Sequence, residues 1–153
     1  MKIAYICNEY PPLPHGGIGT FVQTMARGMK SVGHDVVVVG LGNKADRWDD
    51  RGVRVITLPR SGTPAMSGLW TRWSLHRWLA RQAVAREIDL IETPEYEGLL
   101  PFRFGHCPVV VRLHQSATAL AINSGQRPTW LRAQCERNTL RNHPNWIGVS
   151  HYA

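Results

Sequence analysis

Gly16, Gly17 and Gly19 crowd into the turn PPLPHGGIGTF, Pro11 to Phe21, between an apolar run and an amphipathic one. Backbone N–H groups at a helix start, with no side chains to hold a ligand away, form an anion site, so the chemistry they offer is phosphate binding. Glycine that only supplies a positive φ for a tight turn leaves the same trace. Position favours the phosphate reading, because the cluster follows the first apolar run and opens a helical pattern. A dinucleotide fingerprint beginning at Gly17 asks for glycine or alanine at position 22, where this chain has Val22, and VVVVGLGNK lacks the acidic residue expected after a second strand. No G-K-[ST] follows the turn, which removes a P-loop. Two further groups carry candidate chemistry. His114 ends the run PVVVRLH, and ETPEYEG brings together Glu92, Glu95 and Tyr96. Neighbouring carboxylates suggest glycoside hydrolysis, but adjacency in one loop does not supply an acid and a base on opposite sides of a bond. Helix capping accounts for them equally well.

These residues need elements to position them. KIAYIC reads as a buried strand; after the glycine turn, Phe21, Val22, Met25, Met29 and Val32 recur at helical spacing, and Gly33 is a natural stop. HDVVVVGLG and GVRVITLP are apolar and β-branched, the pattern of strands buried on both faces. A helix is predicted over about Ser67 to Glu87, then a strand at IDLIET, a short helix near EYEGLLPF, a strand at CPVVVRLH, a helix over about Thr129 to Arg141 and a sixth strand at NWIGVS. GNKADRWDDRG and INSGQRP read as loops. The alternation implies βαβ crossovers and a Rossmann-like, doubly wound parallel sheet of the α/β class. In LWTRWSLHRWLARQAVAR the periodicity places Leu69, Trp73, Ala80 and Val84 toward the core and Trp78 outward beside Arg77 and Arg81. An outward tryptophan among arginines suits an anionic membrane surface or a lipid-linked acceptor.

Composition bounds the partners. The chain has 153 residues, enough for one domain with a real core, and carries a formal charge of +7. That charge favours an anionic partner without choosing between phosphorylated metabolites, an acidic bilayer and nucleic acid. No recognition helix or aromatic-basic sheet motif supports nucleic acid. Cys7, Cys107 and Cys135 are odd in number and far apart, which argues for free thiols in a reducing compartment. The seven histidines form no metal-ligand spacing, so no metal site is expected. There is no signal h-region and no membrane span, and the expected location is cytoplasmic.

The ordered series NEYPPLPHGGIGTFVQTMARGMKSVGHDVVVVG, IDLIETPEYEG, PVVVRLH and NWIGVSHYA resembles the N-terminal half of family 4 glycosyltransferases of the GT-B fold. The resemblance implies retaining transfer of a sugar from a nucleotide-sugar co-substrate to an acceptor, with no cofactor and no metal. It implies that Gly16, Gly17 and Gly19 lie against the donor phosphates and that His114 lies near the transferred sugar, as the candidate catalytic side chain. It makes Glu92, Glu95 and Tyr96 candidates for binding the acceptor, and His34, in the Gly-His-x-Val piece, a structural residue. Residues 1–153 are then expected to be the acceptor-side domain, lacking the C-terminal donor-binding domain and its glutamate pair, so that the chain alone has negligible turnover. The alternative is a non-catalytic module of the same fold that binds a sugar or lipid headgroup.

Overall fold

A computed structural model of the chain describes residues 1–60 and 67–150. The end of the quoted series, residues 151–153, lies outside them. Seven strands, β1 (Lys2–Ile6), β2 (Asp35–Gly42), β3 (Asp46–Asp50), β4 (Val53–Pro59), β5 (Leu90–Pro94), β6 (Val109–Leu113) and β7 (Asn145–Gly148), form one sheet in the order β3-β4-β2-β1-β5-β6-β7. Every pairing is parallel except β3 with β4. Among the described residues four helices accompany them: α1 (Gly17–Ser31), α2 (Ser67–Val84), α3 (Ala117–Asn123) and α4 (Trp130–Asn142), with a 3-10 turn at Tyr96–Gly98. The mixed α/β architecture with a mostly parallel sheet is the one expected.

Strand alternation divides the core in two. Ile3, Tyr5 and Cys7 point to one face with Val36 and Val38, where Val22 and Ala26 of α1 cover them. Ala4 and Ile6 point to the other with Val37 and Val39, under Leu75, Leu79 and Ala83 of α2. Covered on both faces, β2 shows no polar alternation, as parallel strands require. Helix α1 ends as its sequence indicates: Gly33 takes φ 91°, and the N–H groups of Gly33 and His34 return to the Lys30 and Met29 carbonyls. Val32, at the cap, is exposed and not part of the buried stripe.

Three expectations are corrected. The polar segment GNKADRWDDRG is not all loop: Asp46–Asp50 is the antiparallel strand β3, joined to β4 by the two-residue turn Arg51–Gly52, both at positive φ. Charged residues are poor strand formers, but they suit an outer edge where unpaired backbone must not recruit another strand. Asp50 also ties the edge inward: it pairs with Arg27 at 2.7 Å and accepts the hydroxyl of buried Tyr10 at 2.7 Å, which holds the carboxyl below its ordinary range. Second, α3 begins inside a stretch without a predicted helix, its start capped by Ser116, whose Oγ accepts the Ala119 N–H at 3.0 Å. Ile122 and Asn123, read as loop, close that helix.

Third, α2 is rotated from its predicted phase. Its buried stripe is Thr71, Leu75, Leu79 and Ala83, while Leu69, Trp73 and Val84 are exposed and Ala80 is only partly buried. Trp78, expected outward, packs against the core under the sheet. The helix carries three tryptophans outside its buried stripe and a threonine within it, so apolar spacing alone does not fix its orientation. At the far end of the sheet, β7 is exposed on both faces: Trp146 is 56% and Ile147 45% accessible.

Candidate active site

From β1 the chain steps outward to β2 and β4, then crosses to β5 on the opposite side of β1. Loops leaving β1 and β5 therefore diverge, and a crevice opens at their carboxyl ends. A cavity of about 270 Å3 lies there, lined among others by Asn8, Arg60, Arg72, Glu97 and Arg132. A second, of about 240 Å3, is lined by Glu9, Ile18 and Tyr96 and shares Asn8, Arg60, Glu97 and Leu99 with the first. The two form one cleft.

The glycine turn bounds this cleft, with Gly16 as the N-cap of α1 and Gly17 its first residue. Gly19 is required by packing: a Cβ there would collide with the Glu9 carbonyl oxygen and lie 2.8 Å from His15 Cβ. The N-terminus of α1 thus rests directly on the chain leaving β1. Gly17 has open space where its Cβ would be. The Glu9 carboxylate occupies the helix start, with Oε1 accepting the Gly19 N–H at 2.9 Å. An acidic group at the positive end of a helix is a favourable arrangement.

His114 leaves β6 close to α1. Its ring meets Phe21 edge to face at 5.0 Å, and the Arg112 guanidinium lies 5.0 Å from the centre of the same Phe21 ring. Burial, followed by the nearby Arg112 charge, lowers the His114 pKa, with Glu92 and Glu9 acting in the opposite sense. The imidazole is therefore neutral at pH 7, able to donate from one nitrogen and accept at the other.

Glu92 and Glu95, the candidate carboxylates of ETPEYEG, are both engaged within the chain. Glu92 receives both arms of Arg112, at 2.6 and 3.0 Å, in a pair whose side chains are mostly buried. Glu95 is 4% exposed, and its Oε2 accepts the His114 backbone N–H at 2.9 Å; burial raises its pKa. Tyr96 lines the cleft, and burial, then Glu97, raises its pKa. The structure thus brings the glycine turn, through Ile18, and Tyr96 to one crevice, while His114 packs on Phe21 of α1 and is not among the residues lining either cavity, and Glu92 and Glu95 hold Arg112 and the His114 backbone. His34 lies away from them in the turn after α1, where its N–H closes the helix.

Several residues of the site had no signal in sequence spacing. Glu136 of α4 is buried and accepts the N–H groups of Glu97, Ala117 and Thr118 at 3.0, 2.7 and 3.1 Å, joining the 3-10 turn to the start of α3. Arg72 sends Nε to the Gly98 carbonyl at 2.8 Å, Nη1 to that of Gly68 at 2.9 Å and Nη2 to that of Glu97. Glu9 and Asn8 stand beside the glycine turn in sequence, and a search for acidic residues flanking it would have found Glu9. Among the described residues, no group of three His, Cys, Asp or Glu is placed to hold a metal ion, and no helix is long and apolar enough to cross a membrane. Cys7, Cys107 and Cys135 are free; burial pushes the Cys7 thiol up to about 12, far from a reactive thiolate.

Comparison with known proteins gives two findings. The catalytic domain of starch synthase IV from Arabidopsis thaliana, solved bound to ADP and acarbose, matches with a TM-score of 0.54 at 13% identity, over 96% of this chain and 50% of that one. The present chain thus spans about half the length of that structure, and the likeness is one of fold, that of a GT-B glycosyltransferase domain. No curated protein gives a significant match. The second finding is a family model, the glycosyl transferase 4-like domain, which matches residues 16–152, from the glycine turn through β7. The chain belongs to the glycosyl transferase 4-like domain family.

Proposed function

We propose that this chain is the acceptor-side domain of a retaining glycosyltransferase, moving a sugar from a nucleotide-sugar donor to an acceptor bound in the switch-point cleft. One observation carries the reading: Ile18 of the glycine turn and Tyr96 line a single crevice in a chain of this family, with the neutral His114 packed on Phe21 of the helix that the turn opens. Departure of the donor's diphosphate builds negative charge, and N–H groups at the start of α1, at Gly16 and Gly17, are the donors offered to it, joined by that of Gly19 once the Glu9 carboxylate is displaced. His114 hydrogen-bonds the transferred sugar or relays the acceptor's proton. Tyr96 binds an acceptor hydroxyl, while Glu92 and Glu95 serve the acceptor wall by holding Arg112 and the His114 backbone. The ADP and acarbose of the starch synthase structure support a nucleotide and a sugar as ligands of this fold.

In this reading a second domain supplies most contacts to the nucleotide sugar, no metal or cofactor takes part, and the chain alone has negligible turnover. The protein works in the cytoplasm, and a lipid-linked acceptor would bring it to the membrane face. The test is turnover of a nucleotide-sugar panel by the parent protein, with His114→Ala expected to lower kcat at least 100-fold while KM for the donor changes little. Unchanged kcat in that variant, or robust transfer by residues 1–153 alone, would refute the corresponding part. A non-catalytic binding module is favoured by one observation, the Glu9 carboxylate already seated at the helix start. It would bind acceptor and ignore every nucleotide sugar in the same assay.

A further inference from the structure

The larger cavity is strongly cationic. Arg60, Arg72 and Arg132 line it, with Glu97 the one acidic side chain among its lining residues. Arg132 approaches the Glu97 carboxylate only loosely, at 3.8 Å, and both are partly exposed. Arg72 differs from a surface arginine. Its three hydrogen bonds go to the carbonyls of Gly68, Glu97 and Gly98, which fix the guanidinium between α2 and the 3-10 turn without neutralising it. A guanidinium carries five N–H donors, so a group held by three carbonyls keeps donors and a full charge for a further partner. Three guanidinium groups facing one carboxylate leave the cavity positive, and a guanidinium binds an oxyanion through charge-assisted hydrogen bonds.

The neighbouring part of the cleft is different. Tyr96, Asn8 and Glu9 provide neutral and acidic hydrogen-bonding groups suited to sugar hydroxyls, next to the glycine turn. The two parts share Asn8, Arg60, Glu97 and Leu99, so one ligand can span them. Each cavity lies near the lower end of the about 300–1,000 Å3 typical of small-molecule sites, and together they fall within it. We infer that the acceptor is an anionic polyol, with its phosphate or carboxylate among Arg60, Arg72 and Arg132 and its hydroxyl-bearing part toward Tyr96. This rests on the acceptor-side reading given above and adds to it the chemical class of the acceptor. It also gives the positive charge of the chain a specific destination. The carboxylate of Glu97 both steadies Arg132 and limits the pocket to one anionic group, since a second would meet like charge.

The experiment is calorimetric titration of the chain with glucose 6-phosphate, glucose and inorganic phosphate, each with and without saturating UDP or ADP. The expected result is at least tenfold tighter binding of glucose 6-phosphate than of glucose, weakening with added salt and surviving a saturating nucleoside diphosphate. The pair Arg60→Gln and Arg132→Gln, at an exposed and a partly exposed position, should remove that preference while the melting temperature stays within a few degrees. Arg72→Lys, which keeps the charge but not the three-way carbonyl bonding, should weaken glucose 6-phosphate at least threefold and leave glucose unaffected. Equal affinity for the neutral and phosphorylated sugar would overturn the inference, as would an unchanged preference in the double variant. Full displacement by UDP or ADP, lost in the same variant, would assign the arginines to the donor and overturn it too. These outcomes are read without turnover. A phosphate preference in a parent protein that transfers no sugar would leave the anionic-polyol site standing as a binding site and remove the glycosyltransferase reading. Transfer to neutral acceptors alone would do the reverse.

Discussion

Gly17 and Gly19 are two residues apart in one turn, and the structure assigns them opposite tolerances. In Gly19→Ala the new methyl collides with the Glu9 carbonyl oxygen and crowds His15 Cβ at 2.8 Å. Since the first obstacle is backbone, relief requires roughly 1 Å of movement of α1 away from β1, and such overpacking costs about 1–3 kcal/mol. The movement also draws the Gly19 N–H from Glu9 Oε1, so the upper half of that range is expected. In Gly17→Ala nothing lies within 4 Å, and alanine in place of helical glycine stabilises by up to about 0.5–1 kcal/mol. For a domain of this size the two variants should melt about 4–16 °C apart, Gly19→Ala below wild type and Gly17→Ala at or above it. Urea unfolding followed by tryptophan fluorescence measures both midpoints. Equal stability of the two variants, or a Gly17→Ala protein less stable than Gly19→Ala, would refute the claim that the turn is bare at Gly19 for packing and at Gly17 for access.

Three further outcomes follow from the same geometry. Glu136→Gln keeps one carbonyl oxygen where two carboxylate oxygens serve three buried N–H groups, and should destabilise by about 1–3 kcal/mol, with faster amide exchange at Ala117 and Thr118 than at Ala4; unchanged exchange would count against the clamp. His114 and His143 both have pKa values lowered chiefly by burial, so the unfolded chain binds more protons and stability should fall as the pH drops from about 6.5 toward the folded values; imidazole resonances titrating at or above 6.5 would contradict this. If α2 meets an anionic membrane, it does so with exposed Trp70, Trp73, Arg77 and Arg81 and not with Trp78. Co-sedimentation with anionic vesicles should then fall several-fold in Trp70→Ala/Trp73→Ala, and equal partition to neutral vesicles would exclude the electrostatic part.

Much of the fold was legible because the governing signal is local. β1, β2 and β6 are short β-branched runs that only a doubly covered sheet accommodates, and Gly33 ends α1 with the φ that glycine permits. The phase of α2 was not legible, because Thr71 lies in its buried stripe and Trp70, Trp73 and Trp78 surround it. β3 was hidden by composition, since Asp46, Asp49 and Asp50 are placed by pairing with β4 and by Arg27, both distant in sequence. The site divides similarly. The glycine turn, His114 and Tyr96 are marked by position after strands. The roles of Glu9, Glu136 and the three arginines depend on contacts between elements up to a hundred residues apart, and spacing along the chain carries no trace of those.

The two outer strands have opposite characters as surfaces for growth. β3 presents Asp46, Arg47 and Asp49 and is bent back on β4 by its tight turn, so another chain adding there would desolvate charge. β7 offers Trp146 and Ile147, exposed on both faces, and Val149 just beyond them. Any self-association of this polypeptide at high concentration would therefore begin at β7 and be blocked at β3. Two chains meeting β7 to β7 close off growth, so such association ends at a pair and does not build a filament.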